Sequence, residues 1–388
     1  MSASRRNRLP WVRIAFACLL LVPAAAAGAA PPRPVVLGLR YTGETIGNVS
    51  GGIARGAGYE GLAELDLDAD LDALAHWNDA RLHASVYQIH GHGPSANYVG
   101  NIMDVSNIEA RPTTRLYALW LQKGLPWRGA SLRAGQLGAD EEFLLSKTAG
   151  GLINGTFGWA ALAAADQAEG GPAYPLATPG VRLRLAPQPD TAFLLAAFAG
   201  HPAGSRCTAS PQRCDLHGTT FSLNGGTLWM SELQYAGSYK LGGWYQTGSF
   251  ADPSDPALTH RDDWGLYAIA DRTLSPARGV NGFVRLGGAP AERNLVSLYV
   301  DTGLGFIGPI AGRPHDTFTV GAACVGFPLT DRESVLELSY AARLTRRWSL
   351  QPDLQYVVHP GNNAPDPNDP TQPLRNALVV GLRAVFRL

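Results

Sequence analysis

The sequence predicts an all-β protein, a closed antiparallel transmembrane β-barrel of about sixteen strands with one long connection folded inward. Three observations carry the prediction. Long segments alternate apolar and polar side chains with period two. No run past residue 30 reaches the ~18 apolar residues of a spanning helix. The chain also opens with an export leader. Composition agrees: charged residues are 16%, below the usual ~25% of soluble domains. Lysine plus arginine and aspartate plus glutamate balance at 32 each, which excludes the basic excess of a nucleic-acid binder.

The leader occupies residues 1–29. Arg5, Arg6, Arg8 and Arg13 precede an apolar stretch at 14–22, and Ala27-Gly28-Ala29 supplies small residues for cleavage. The apolar stretch is short of a membrane anchor, and Cys18 lies inside it, which argues against a lipoprotein signal. Cleavage removes four arginines and no acid, leaving residues 30–388 as one slightly acidic barrel domain.

Segment 59–71 shows the alternation most clearly. Tyr59, Gly61, Ala63, Leu65, Leu67, Ala69 and Leu71 share one face. Glu60, Leu62, Glu64, Asp66, Asp68 and Asp70 share the other. In 348–359, Trp348, Leu350, Pro352, Leu354, Tyr356 and Val358 alternate with Ser349, Gln351, Asp353, Gln355, Val357 and His359. The last residues, 378–388, place Leu378, Val380, Leu382, Ala384, Phe386 and Leu388 on one face. Globular strands usually have five or six residues, whereas a tilted spanning strand needs ~9–11. A soluble β-sandwich also alternates, but its strands are shorter and it needs no apolar outer face.

The strands are expected at 35–46, 57–71, 80–91, 114–123, 130–138, 178–186, 191–200, 227–237, 239–249, 263–273, 280–288, 294–304, 316–328, 333–344, 348–359 and 376–388. Trp77, Trp127, Trp264, Tyr340 and Trp348 fall at strand ends, where interfacial girdles form. Long connections remain at 139–177, 201–225 and 360–375.

Cys207 and Cys214 flank a short segment, CTASPQRC, and an exported chain meets an oxidising compartment, so a loop disulfide is expected there. A metal pair is the alternative. Cys324 reads as a packed thiol.

The 139–177 connection is too long for an idle loop in a compact domain. It holds Asp140-Glu141-Glu142, then Thr156-Phe157-Gly158-Trp159, then an alanine-rich piece at 160–165. Folded inward it would narrow the lumen; folded outward it would be a surface loop.

These residues resemble the carbohydrate-selective porin family, OprB. Leu132-Arg133-Ala134-Gly135-Gln136 followed by Ala139-Asp140-Glu141-Glu142-Phe143 is similar to that family, as is Ile153-Asn154-Gly155-Thr156-Phe157-Gly158-Trp159. The most specific run is Gly170-Gly171-Pro172-Ala173-Tyr174-Pro175-Leu176-Ala177-Thr178-Pro179-Gly180. Cys214 with His217-Gly218-Thr219-Thr220-Phe221-Ser222-Leu223, Glu232-Leu233-Gln234-Tyr235, Asp263-Trp264-Gly265-Leu266-Tyr267-Ala268 and His359-Pro360-Gly361 extend the likeness from about residue 35 to the end. The resemblance implies a sixteen-stranded outer-membrane barrel passing monosaccharides such as glucose.

A sugar offers hydroxyls around a ring with apolar C–H faces. A selective constriction therefore needs polar groups to replace water, an aromatic plate, and weak binding. Candidates are Glu60, Glu64, Asp66, Asp68 and Asp70 on one lumen face. Arg133, Arg182 and Arg184 stand opposite the loop acids Asp140, Glu141 and Glu142, with Trp159, or Trp244 beside Lys240 and Gln246, as the plate. Each of these charges has the plainer reading of a wall residue lining water. Catalysis finds little support. His90 and His92 in HGHG form a metal or base pair only on paper, and a structural or lumen-lining role fits better. No GxSxG, HExxH or Walker motif occurs, and no cofactor or metal is implied. The expected partners are small sugars and outer-membrane lipids, with the barrel a monomer or homotrimer. A barrel lipase or protease and a non-conducting adhesin remain the rival classes.

Overall fold

Alternating segments pair in order because each buries one face only when both neighbours supply backbone partners. The computed structural model describes residues 34–127, 129–255, 257–327 and 332–388. The leader expected at 1–29 lies outside the described residues. The strands are β1 (Val35–Gly52), β2 (Gly56–Asp70), β3 (Ala80–Gly91), β4 (Thr113–Gly124), β5 (Ser131–Leu137), β6 (Thr178–Gln188), β7 (Thr191–Ala199), β8 (Thr227–Tyr235), β9 (Tyr239–Ala251), β10 (Thr259–Ser275), β11 (Val280–Gly288), β12 (Leu298–Ile307), β13 (Thr317–Gly326), β14 (Arg332–Arg343), β15 (Trp348–Val358), β16 (Pro365–Asp366), β17 (Asp369–Pro373) and β18 (Arg375–Arg387). β16 and β17 form a small separate hairpin. The other sixteen make a closed barrel in sequence order, with β18 pairing both β15 and β1. At the closure Tyr41 faces Phe386 and Thr45 faces Leu382. Closure leaves no open edge in lipid.

Period two sets the two environments. Leu65 (49% exposed) and Leu354 (39%) face outward, while Glu337, Gln355 and Val357 point into the barrel and are buried. The start of β1 and the end of β18 share one rim with tight turns such as 189–190, 236–238 and 344–347. The long connections, 92–112, 138–177, 200–226 and 359–374, share the other. In bacterial barrels the short turns are periplasmic and the long loops extracellular. Tyr235, Tyr239, Tyr340 and Trp348 ring the short-turn end, and Trp229, Tyr245 and Trp264 the other. Trp77 and Trp127 sit in short turns rather than on strands. Asp70, expected to face the lumen, instead caps a five-residue helix, α1 (Leu71–Ala75), accepting from the Asp72 and Ala73 amides.

The barrel is not hollow. Loops 92–112 and 138–177 turn inward and bury Met103, Val105, Phe143, Leu152, Ile153, Phe157 and Leu162 against Tyr267, Phe283, Tyr299, Val335 and Val357 of the wall. This core fills the side of the lumen bounded by β10–β15. Open space is left beside β1–β4. Cys207 and Cys214 are joined in a disulfide in the 200–226 loop, with Cα atoms 5.8 Å apart. Cys324 is a half-buried free thiol.

Candidate functional site: a constriction built by two loops

The wall holds the loops with carboxylates, buried at Glu333, Glu337 and Glu232 and half-buried at Asp271. Glu333 accepts the Ile102 and Met103 amides at 2.9 and 2.7 Å. Glu337 accepts those of Ile153 and Asn154. Glu232 accepts the Leu144 amide at 3.0 Å and the Tyr267 hydroxyl at 2.8 Å. Asp271 accepts the Thr148 amide and hydroxyl at 2.8 and 2.7 Å. Charged acceptors make the stronger class of hydrogen bond. Arg285, fully buried against Asp301, donates onward to the carbonyls of Leu144 (3.0 Å), Thr156 (2.9 Å) and Phe157 (3.2 Å). The loops also fasten to each other. The Asn107 amide donates to Ile153 O at 2.8 Å, and the Gly155 amide to Asp104 O at 2.7 Å.

Between these loops and β1–β4 lies a cavity of about 440 Å³. Arg40, Glu64 and Tyr87 line it from the wall, Asp104, Asn107 and Glu109 from the first loop, and Glu141, Trp159 and Tyr174 from the second. Arg40 pairs with Glu64 at 2.9 Å. Tyr117 stacks on Tyr87 at 4.5 Å and donates its hydroxyl to Asp140 at 2.5 Å. Tyr174 donates its amide to Asp140 at 2.8 Å and its hydroxyl to Ile108 O at 2.8 Å, which ties the second loop to the first. Trp159 donates its indole N–H to Gly170 O at 3.1 Å and leaves its ring half-buried in the cavity wall. Asp104 lies deep in the barrel yet remains open to the channel.

Arg133 and Arg182 meet the loop acids directly rather than across open water. Arg182 Nε reaches Glu142 at 2.6 Å, and Arg133 lies 3.6 Å from Glu141 and 3.8 Å from Glu142. The reason is proximity in sequence: the acids follow β5 immediately, so they fold back onto β5 and β6. Arg133 also stacks over Trp120 at 3.7 Å, and Gln122 accepts from both guanidiniums. Arg182 is thereby buried. Burial first, and then the Asp140 carboxylate, push Glu141 up to about 7, against the pull of Arg133.

Several expected residues lie elsewhere. Arg184 is two residues further along β6, ~7 Å by strand rise, and donates to Gly129 O at the short-turn rim. Of the acids on β2, Glu64 lines the cavity. Glu60 is 2% exposed, because Ile108 packs on Leu62 and Ile89 and covers that stretch of β2. Asp66 is half-buried below the cavity, and Asp68 pairs with His83 at 2.8 Å towards the rim. Trp244 is buried, with its indole nitrogen 3.3 Å from Asp263, and offers no face to the channel. His90 faces outward, since the lumen side of β3 falls to Ile89; it contacts Tyr41 at 3.1 Å and Gln88 at 2.9 Å. A lumen-lining role for His90 is therefore excluded. Sequence reasoning missed the 92–112 loop altogether. Its signal was there: Ile102, Met103, Val105 and Ile108 are more apolar than a solvated loop needs. Among the described residues no group of three His, Cys, Asp or Glu side chains is arranged to hold a metal.

Residues 54–388 match the family described as carbohydrate-selective porin, OprB family. The chain belongs to that family. It is therefore an outer-membrane porin, a transport protein and not a catalyst, and its sixteen-stranded barrel is the family's fold. Porin B of Pseudomonas aeruginosa is 23% identical over 406 residues, covering 89% of this chain and 86% of that protein. The high-pH structure of Pseudomonas putida OprB superposes with a TM-score of 0.78 at 20% identity, covering 92% of this chain and 94% of the other. The outer-membrane channel DcaP of Acinetobacter baumannii shares the barrel at a TM-score of 0.53 and 12% identity, over 91% and 97% of the two chains.

Proposed function

We propose that this OprB-family porin passes monosaccharides such as glucose by diffusion, and that the two-loop cavity is where it selects them. The observation that carries this reading is the lining of the 440 Å³ cavity: carboxylates, a guanidinium and an amide beside the faces of Trp159, Tyr87 and Tyr174. Glu141, Glu64, Arg40 and Asn107 replace water around the hydroxyls, and the aromatic faces cover the C–H surface of the ring. Arg133, Arg182 and Glu142 set the position of Glu141 rather than meeting the sugar. Asp140 holds Tyr117 and Tyr174 in place. Residues 1–29 serve as the export signal and the remainder is one barrel domain, acting as a monomer or homotrimer with a pore in each barrel.

Liposome swelling with glucose, maltose and a neutral polyol of glucose size tests the proposal. Glucose should enter fastest and maltose slowest. Trp159→Ala should raise overall flux and narrow the gap between glucose and the polyol. Equal rates for glucose and the polyol in the native protein would show a general pore instead.

A further inference from the structure

The lumen arginines near the constriction are matched with acids. Arg182 has Glu142 at 2.6 Å, Arg383 has Glu44 at 2.5 Å, and Arg285 has Asp301. The short-turn end differs. There a second cavity, of about 450 Å³, is lined by Arg343 from the end of β14, Arg346 and Arg347 from the 344–347 turn, and Arg387 from the end of β18. His315, Thr317, Thr345, Ser349 and Gln351 complete its polar surface, and no carboxylate lines it. Among the described residues, none of these four guanidiniums takes part in an ion pair. Two carboxylates lie near, and both are engaged: Asp316 by Arg313, by the Tyr340 hydroxyl at 2.6 Å and by the Arg343 amide at 3.0 Å, and Glu64, within electrostatic reach of Arg387, by Arg40 at 2.9 Å.

Four cations without ion pairs border one concavity, Arg343 and Arg387 within repulsive reach of each other, and an incoming oxyanion relieves that repulsion. A guanidinium presents paired N–H donors that match two oxygens of a phosphate or carboxylate. All four arginines are exposed, Arg346 and Arg347 on the turn and Arg343 and Arg387 at strand ends, so each guanidinium is accessible to a ligand in the basin. Gly150 and Gly151 of the inward loop roof the basin, and Arg387 lies within electrostatic reach of Arg40 and Glu64 in the open channel, so a bound anion would change the charge met by solutes leaving the constriction.

We propose that this basin is an oxyanion site at the periplasmic mouth, distinct from the sugar constriction, taking the phosphate or carboxylate group of a small soluble anion and slowing passage when filled. The pore is then polar along its axis, with carboxylates at the constriction and free guanidiniums at the inner mouth. The site requires an open barrel but does not depend on which sugar passes.

Single channels in planar bilayers test it, with inorganic phosphate added to one face at a time at constant ionic strength. Phosphate should reduce the current from the short-turn side at concentrations without effect from the loop side. Arg343→Gln with Arg387→Gln should raise the half-blocking concentration about tenfold, as expected for removing two solvent-screened charges. Arg346→Gln with Arg347→Gln, which leaves the barrel strands untouched, should weaken the block in the same direction. Calorimetric titration of phosphate into the detergent-solubilised barrel should give the same order of affinities without any conduction. Block of equal strength from both sides, or block and affinity unchanged in both double variants, overturns the proposal. Glucose entry by liposome swelling is measured separately, so a failure of sugar selectivity would not be mistaken for a failure of the anion site.

Discussion

Replacing Arg285 by Met should release the constriction while leaving a barrel. Arg285 is buried on β11, paired with Asp301 and donating to three loop carbonyls. Stranding a buried partner charge costs about 3–5 kcal/mol, and each carbonyl left without its donor adds roughly 1 kcal/mol or more. The carbonyl share alone, about 2–3 kcal/mol with Thr156 O keeping the Tyr299 hydroxyl, falls on the 138–177 loop, and at 1.4 kcal/mol per tenfold it is a shift of roughly thirty- to a hundredfold between its seated and displaced states. Single-channel recording should therefore show larger, noisier openings and weaker glucose block. Arg285→Met with Asp301→Leu removes both charges. It should recover most of the thermal stability of the barrel but not the quiet, sugar-blocked current, because the Leu144 and Phe157 carbonyls still lack the Arg285 donor and Thr156 O keeps only the Tyr299 hydroxyl at 3.2 Å. Native conductance, noise and sugar block in the single variant would refute the idea that this arginine seats the loop.

Other outcomes follow from the same geometry. Glu141, raised to about 7 by burial and Asp140 and faced by Arg133, Glu142 and Asp66, is protonated below that value and charged above it. Cation preference in reversal-potential measurements should thus rise between about pH 6 and pH 8, and Glu141→Gln should flatten that rise and favour anions. Leu65→Arg places a charge on the lipid face and should impair assembly by about 2–4 kcal/mol near the midplane, read as loss of the heat-modifiable gel band; the same change at a solvated position should not. Thiol labelling of the unreduced, denatured mature protein should find Cys324 alone, and labelling of Cys207 or Cys214 as well would contradict the bridge.

The barrel was legible because period two is a local signal. Each of the sixteen expected segments overlaps an observed barrel strand. The misjudged boundaries have local causes. β1 runs on to Gly52 and β10 begins at Thr259, where strands continue past the apolar band and lose their alternating signature. β12 starts at Leu298 rather than 294 because Asn294 is taken by Asp263 at 2.7 Å. The site was less legible. Alternation says that Glu333 and Glu337 point inward, not that a loop's amides meet them there. A single sequence likewise says that 139–177 is long, but not that Glu142 spends itself on Arg182. Such contacts join residues far apart in the chain, and no periodicity records them.

The ring of strands has a consequence for biogenesis. Its seam lies between the first strand made and the last, Tyr41 beside Phe386. Until β18 arrives, β1 and β15 each present a row of bare amides and carbonyls, which hydrocarbon cannot satisfy. Partial insertion is therefore penalised at every stage, and a chain lacking β18 has no stable half-built form in the membrane. A premature stop anywhere upstream of β18 should yield material that stays in the periplasm for proteases, so completeness of synthesis is checked by the geometry of closure itself.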